Sequence, residues 1–243
     1  MKKNCPTDLK TTNRFYFQFR WSLLYPLVIQ NFQNFILSLS ASESYSGSAR
    51  DRMESLEEKI RRVTQEDVSI VPYNPDWPRM FEQEKQHLLN CLPHDLIGRI
   101  EHFGSTAIPN LSAKPIIDIL VEVTSLEETK KKIVPVLESL GYDYFWRPSF
   151  GDDIPPFYAW FIKRDAKGNR THHLHLVEKH FEHWDRLLFR DYLIENPDVA
   201  KEYQILKLLL AKDHPNDRIA YTNGKTEFIV RVTEIAKKYS KGA

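Results

Sequence analysis

Cysteine is scarce in this chain of 243 residues: Cys5 and Cys91 are the only two, and neither stands in a C-x-x-C or metal-type spacing. A disulfide framework and a cysteine zinc site are thereby excluded, and a reducing compartment, the cytoplasm, is expected. Glycine is scarce too, at 8 residues, against 42% hydrophobic and 12% aromatic residues. That balance excludes a fibrous or disordered chain and leaves enough apolar surface for a real core. No apolar run approaches the ~20 residues that a bilayer-crossing helix needs. The best candidate, Trp21 to Ile29, is interrupted by Ser22 and Pro26. Excess charge is missing as well: 34 Lys+Arg against 33 Asp+Glu leave +1, so neither a basic arm for a polyanion nor an acidic solvating tail dominates.

The charge that is present is unevenly distributed. Residues 1–52 hold seven basic and three acidic side chains, whereas residues 53–243 hold 27 and 30, so the two parts carry +4 and −3. Between Met1 and Ser42 the single acid is Asp8, while Lys2, Lys3, Lys10, Arg14 and Arg20 alternate with aromatic and hydroxyl residues. This reads as an organellar presequence, which would direct the protein to mitochondria. It reads as well as a disordered extension, or as a start codon assigned too early, because Met53 directly precedes the helix-favouring stretch Glu54 to Ile60. Residues 1–60 are therefore expected to be an N-terminal extension, with the Ser/Gly-rich stretch Ser40 to Ser48 as linker, and residues 65–240 the folded domain.

Within that domain the periodicity alternates between two kinds. Val68 to Val71 is short and β-branched; Arg79 to Leu92 has helical spacing at Phe81, Leu88, Leu89 and Leu92. Arg99 to Phe103 alternates as a strand and ends at Gly104-Ser105, and Pro115 to Val123 is a second strand, apolar apart from Asp118 and Glu122. Ser125 and Glu128 form a capping box for a helix over Leu126 to Leu140, with Gly141 suited to its C-terminal turn. Phe157 to Lys163 and Thr171 to Val177 alternate across the loop Arg164 to Asn169 and read as a hairpin. Phe181 to Ile194, then Asn196-Pro197 to Lys212, then Gly224 to Lys238 read as helices. The pattern predicts an α+β fold: a mixed β-sheet with flanking helices and a C-terminal helical segment.

A carboxylate inside an apolar strand has to be paired with a neighbouring cation or held on a metal. Asp118 follows the small-residue turn Gly104-Ser105 by twelve intervening residues. A turn without bulky side chains lets backbone N–H groups approach phosphates, and an Asp on a rigid strand can hold the ion that neutralises them. His173 and His175 share one face of their strand, so they could join Asp118 on one ion across the sheet, with His172 pointing away. The alternative is that these histidines hydrogen-bond locally or line a polar pocket. Glu101 and His102, being adjacent on a strand, cannot both face any one site.

The runs Val71 to Pro78, Glu101 to Pro109 (EHFGSTAIP) and Ala113 to Ile119 (AKPIIDI) together resemble the GrpB family. The resemblance continues through Thr171 to Val177, Leu188 to Leu193, and Tyr221, Lys225, Phe228 and Ile229, and covers roughly residues 65–240. It implies a nucleotidyltransferase-like fold more firmly than a particular reaction; members also occur fused behind dephospho-coenzyme A kinases. Lys114, Arg190, Tyr221 and Lys225 match the family's motif positions and would suit phosphate. One departure from the wider nucleotidyltransferase pattern matters: that pattern has a second acid two residues after the first, and here Leu120 stands there. Two-metal transfer needs bridging acids that hold ions ~4 Å apart. Glu122 lies roughly 13 Å along the strand and is a poor substitute.

The leading expectation is a nucleotide-handling enzyme of the nucleotidyl- or phosphoryl-transfer class. Asp118 is its catalytic carboxylate; Gly104, Ser105, Lys114, Arg190, Tyr221 and Lys225 bind the nucleotide and its phosphates. Asp118, His173 and His175 hold a divalent ion, Mg²⁺, Mn²⁺ or Zn²⁺. The rival is a non-catalytic binding or accessory module for a coenzyme A-like ligand or a protein partner. Aromatics such as Trp146, Tyr158 and Trp160 are not interleaved with a basic stripe, which argues against nucleic acid, and no membrane partner is expected.

Overall fold

Two strands, β2 (Ile117–Val123) and β5 (Arg170–Glu178), run side by side in parallel. The computed structural model to which they belong describes residues 55–64, 67–149 and 155–242; the expectations for residues 1–54 lie outside these. The other strands are β1 (Ile97–Phe103), β3 (Asp143–Pro148) and β4 (Phe157–Arg164), and the sheet order is β1-β2-β5-β4-β3. All neighbours except β2 and β5 are antiparallel. This is the mixed α+β sheet that the alternation predicted. The β4–β5 hairpin forms where expected, while β3 is an edge strand emerging from the aromatic-rich stretch.

Because strand side chains alternate, each face of the sheet buries its own core. On one face Ile117, Ile119, Val121, Leu174, Leu176, Ala159 and Phe161 pack on α2 (Trp77–Cys91). They also meet a composite helix: α3 (Leu126–Glu128), a π-turn (Thr129–Ile133) and α4 (Val134–Ser139). Ser125 caps that helix as expected, its hydroxyl accepting from the Glu128 N–H at 3.3 Å. On the other face Phe103, Leu120, Tyr158, Trp160, Ile162 and Val177 meet Ile60 and Val63 of α1 (Leu56–Thr64) and Leu187 of α5 (Asp185–Glu195). Helix α1 thus straddles the boundary expected near residue 60.

The C-terminal segment comprises α5, α6 (Pro197–Asp213), α7 (Arg218–Gly224) and α8 (Thr226–Gly242). Its core, centred on Phe189, Leu193, Tyr203 and Val232, reaches the sheet through Ile108 and Leu111. Three local expectations need correction. Val68 to Val71 makes only an isolated bridge, Val71 to Ala113. Asn196 donates its side-chain amide to the Tyr192 carbonyl instead of capping α6. The last helix does not start at Gly224; a separate helix, α7, ends there, and a Cβ at Gly224 would collide with Leu210 of α6. Among the described residues no helix is long and apolar enough to cross a membrane.

Candidate metal and phosphate site

Strand register builds the site. Asp118 of β2 stands opposite His173 of β5, and Leu120 opposite His175, so the carboxylate and both imidazoles project from one face. His173 Nδ1 lies 3.0 Å from Asp118 Oδ1, and one candidate ligand atom from each of Asp118, His173 and His175 lies within 4.8 Å of the others. The carboxylate remains 27% exposed. His172 points to the other face, as expected, with its Nδ1 on the Thr171 hydroxyl. Glu101 and His102 divide likewise: Glu101 faces the site side, while His102 stacks on Phe81 and bonds the Thr106 hydroxyl at 3.0 Å.

Gly104 makes room for this arrangement. It ends β1 with φ +73, and a Cβ there would lie 2.5 Å from Asp118 Oδ2. An L side chain would therefore meet both backbone strain and the carboxylate. Ser105 opens a short 3-10 turn, Ser105–Ala107, and acts on Tyr203, whose phenol burial pushes up and the Ser105 hydroxyl pulls back.

The electrostatics separate the charges sharply. Desolvation works to raise the Asp118 carboxyl, but the His173 hydrogen bond and the charges of Lys114 and Arg186 prevail and hold it below its ordinary value. Desolvation lowers His173 to about 4 despite Asp118, with Arg170 and Arg218 pushing the same way. His175 is held well below its ordinary value by desolvation and by Arg186. Both imidazoles are neutral at pH 7 and offer lone pairs without a competing proton. His175 is 6% exposed, and among the described residues its buried Nδ1 has no hydrogen-bond partner. Coordination distances of ~2.0–2.2 Å would seat imidazole nitrogens and a carboxylate oxygen about 3.3 Å apart around one ion, close to the Asp118–His173 spacing. The donor set fits a divalent ion, and two nitrogens with one oxygen suit Zn²⁺ or Mn²⁺ better than Mg²⁺.

Lys114 and Lys225 place their ammonium groups 4.9 and 4.3 Å from the centre of the Tyr221 ring, so three of the expected phosphate-binding residues meet at one point. Desolvation, Arg218 and Lys225 depress Lys114 well below its ordinary value. Desolvation lowers Lys225 to about 8, against the pull of Asp118.

Arg190 departs from expectation. Its guanidinium donates to Asp191 at 2.7 Å, to the His102 carbonyl at 2.6 Å and to Glu101 at 3.4 Å, so it ties α5 to β1 instead of reaching for phosphate. The cations near the site that the periodicity did not single out are Arg170, Arg186 and Arg218. Arg170 Nη1 lies 3.5 Å from His173 Nε2, and Arg186 lies over the Phe103 ring at 5.5 Å. Arg170 stands between the expected loop, which ends at Asn169, and the expected strand, which begins at Thr171, and it heads the observed β5; Arg218 lies between the expected helices that end at Lys212 and start at Gly224, directly after Asp217, whose side chain caps α7.

A family model described as GrpB protein matches residues 67–235. The Glutamate-rich protein GrpB of Alkalihalophilus pseudofirmus is 40% identical over 69% of this chain and 94% of its own length. UPF0157 protein YqkA of Bacillus subtilis is also 40% identical, over 72% of this chain, which spans about half (49%) of that relative. The crystal structure of conserved protein GrpB from Enterococcus faecalis superposes with a TM-score of 0.61 at 37% identity, covering 70% of this chain and 99% of that one. A more distant relative, 26% identical over 66% of this chain and 44% of its own length, is a dephospho-CoA kinase of Mycolicibacterium paratuberculosis.

Proposed function

The chain belongs to the GrpB family, and from that premise we propose that its sheet-face pocket binds a nucleotide or other phosphorylated small molecule beside a divalent ion and carries out nucleotidyl or phosphoryl transfer. One observation carries this reading: Asp118, His173 and His175 converge within 4.8 Å next to the two ammonium groups that share the Tyr221 ring. A bound ion supplies charge neutralisation at a phosphoryl oxygen. Without an ion Asp118 holds the His173 ring through its hydrogen bond; with an ion bound the two atoms would turn to it, and Asp118 would add the negative charge that two neutral imidazoles lack. Lys114 and Lys225 are partly stripped of water, so an arriving phosphate gains more from them than from surface lysines and draws protons back onto both. Phe103 and Trp160 pack against the histidine rings and keep water from that side.

The non-catalytic reading has its own observation. Leu120, in the place of a second acid, is completely buried, and Glu101 on the same face is bound by Arg190. A single ion holding a ligand in place needs no second acid. The two readings share the binding step and differ in turnover.

Chelator-treated full-length protein titrated with Zn²⁺, Mn²⁺ or Mg²⁺, with and without ATP, tests the shared step. A metal at 100 times its Kd should add about 2.7 kcal/mol of stability, and ATP should bind more tightly with the ion than without it. The Asp118→Asn variant should keep its fold and lose the metal-dependent part. If no ion shifts the melting temperature and ATP gives no heat, the proposal is wrong. Turnover of ATP, read as pyrophosphate release for nucleotidyl transfer or as ADP formation for phosphoryl transfer, then separates the catalytic reading from the binding one.

A further inference from the structure

Helix α6 presents two unlike faces. At ~100° per residue, Ala200, Tyr203 and Lys207 share the side turned inward, and all three are buried. Lys201, Glu202, Ile205, Leu208, Leu209 and Lys212 fall within a ~120° sector on the opposite side, and every one of them is exposed. The middle of that sector is apolar: Ile205, Leu208 and Leu209 remain 51%, 46% and 55% exposed. Single exposed apolar residues are ordinary. Here three of the seven large hydrophobic side chains exposed among the described residues lie on one helix at i, i+3 and i+4, the spacing with which one helix engages another.

The charges flanking that apolar middle identify what the face fits. Glu202 stands three residues before Ile205, and Lys212 three residues after Leu209. The seam Glu202-Ile205-Leu209-Lys212 is therefore symmetric in position about Lys207 and opposite in charge at its two ends. A second α6 laid antiparallel across it, with the two-fold axis level with Lys207, brings Ile205 of each copy to Leu209 of the other and Glu202 of each copy to Lys212 of the other. One segment thus supplies both halves of a closed, isologous contact. A parallel pair would instead set Glu202 against Glu202 and Lys212 against Lys212, which is repulsive. An antiparallel pair centred half a residue earlier would set Lys201 against Lys212. Within its own chain Glu202 meets only the outer reach of Arg231, at 3.9 Å, with both side chains more than half exposed.

We propose that the outer face of α6 is a self-association surface on which a second copy of this chain docks its own α6 antiparallel. The apolar middle supplies the attraction, and the two Glu202–Lys212 pairs set orientation and register, since exposed ion pairs add little affinity by themselves. The patch is small beside the ~800 Å² that each partner contributes to a stable complex, so a reversible dimer in the micromolar range is expected. No residue of the metal and phosphate site takes part, so the surface stands or falls apart from the function proposed above.

Sedimentation equilibrium of the full-length protein, from low micromolar to submillimolar concentration, tests the surface. A monomer–dimer equilibrium is expected, the same with chelator as with metal. Leu209→Glu should leave the melting temperature of dilute protein unchanged and abolish the dimer over that range. Glu202→Lys and Lys212→Glu, each alone, turn two attractive contacts into two repulsive ones and should each weaken association about tenfold. Mixed in equal amounts, these two variants should associate about as tightly as the wild type, because the mixed dimer regains both pairs. If Leu209→Glu lowers the melting temperature, the mixing result decides. A wild-type monomer at every concentration overturns the proposal, as it would if another part of this chain covered the face. A dimer that survives in stably folded Leu209→Glu protein, or charge variants that mixing does not restore, overturns it too.

Discussion

Gly104 shows how one residue can carry a site without touching a ligand. Its positive φ and its closeness to Asp118 Oδ2 leave no room for a methyl group. Gly104→Ala is therefore expected to lose about 1–3 kcal/mol of stability and to displace the carboxylate, so that metal affinity falls more than stability does. Thermal melts with and without Zn²⁺ would show this as a smaller metal-induced shift; an unchanged shift would separate Gly104 from the site. A second residue-scale case lies on the opposite face, where Glu84, 3% exposed, accepts from the Tyr142 hydroxyl and from Lys163. Lys163→Met leaves that carboxylate buried without its cation and should cost about 3 kcal/mol. The double variant Glu84→Gln, Lys163→Met should recover part of the loss in urea denaturation. Residue type and parity made Asp118, His173 and His175 legible as a group, because alternation on a strand is a local property. The true partners of Arg190 were not, since Glu101 and the His102 carbonyl lie 89 and 88 residues away in sequence.

Helix α1 is the element whose importance the motifs did not reveal. It precedes the family match, which starts at residue 67, yet Ile60 and Val63 complete the core of the site face. Arg62 grips Asp143 with two parallel hydrogen bonds of 2.9 Å, and the Val63 carbonyl accepts from Arg170. The helix thus anchors an arginine that approaches His173 Nε2 at 3.5 Å. A chain starting at Met53 should melt like the full-length protein, whereas one starting at Asp67 should melt at least about 5 °C lower. Equal melting temperatures for the two truncations would make α1 dispensable. Elements with strong local codes were readable beforehand: the β4–β5 hairpin from its turn residues, the helix after Ser125 from its cap. Strand β3 lacked such a code, being short and held by packing on β4; α7 carries one that periodicity alone does not show, since the Asp217 side chain caps it by accepting from the Ile219 and Ala220 N–H groups.

For the whole molecule, buried neutral histidines set the response to acid. Desolvation lowers His102 and His173 to about 4 and holds His175 and His183 well below their ordinary value, whereas in the unfolded chain all four titrate near 6.5. Between those values the unfolded state binds more protons, so stability rises with pH there. It is fully present above about pH 6.5 and is lost progressively as pH falls towards about 4. Melting temperatures of metal-free protein measured from pH 7.5 to 4 should decline through that window, and a flat profile between pH 7 and 5 would contradict it. What the sequence determined by itself was whatever depends on near neighbours: strand and helix periods, the faces shared by His173 and His175, the capped turn at Ser125. The tertiary structure alone decided that Asp118 would stand opposite His173, that Arg190 would be taken by Glu101, and that Arg218 would join Lys114 at one cleft. Those outcomes follow from sheet register and helix docking, which are set by the packing of two cores and leave no period in the chain.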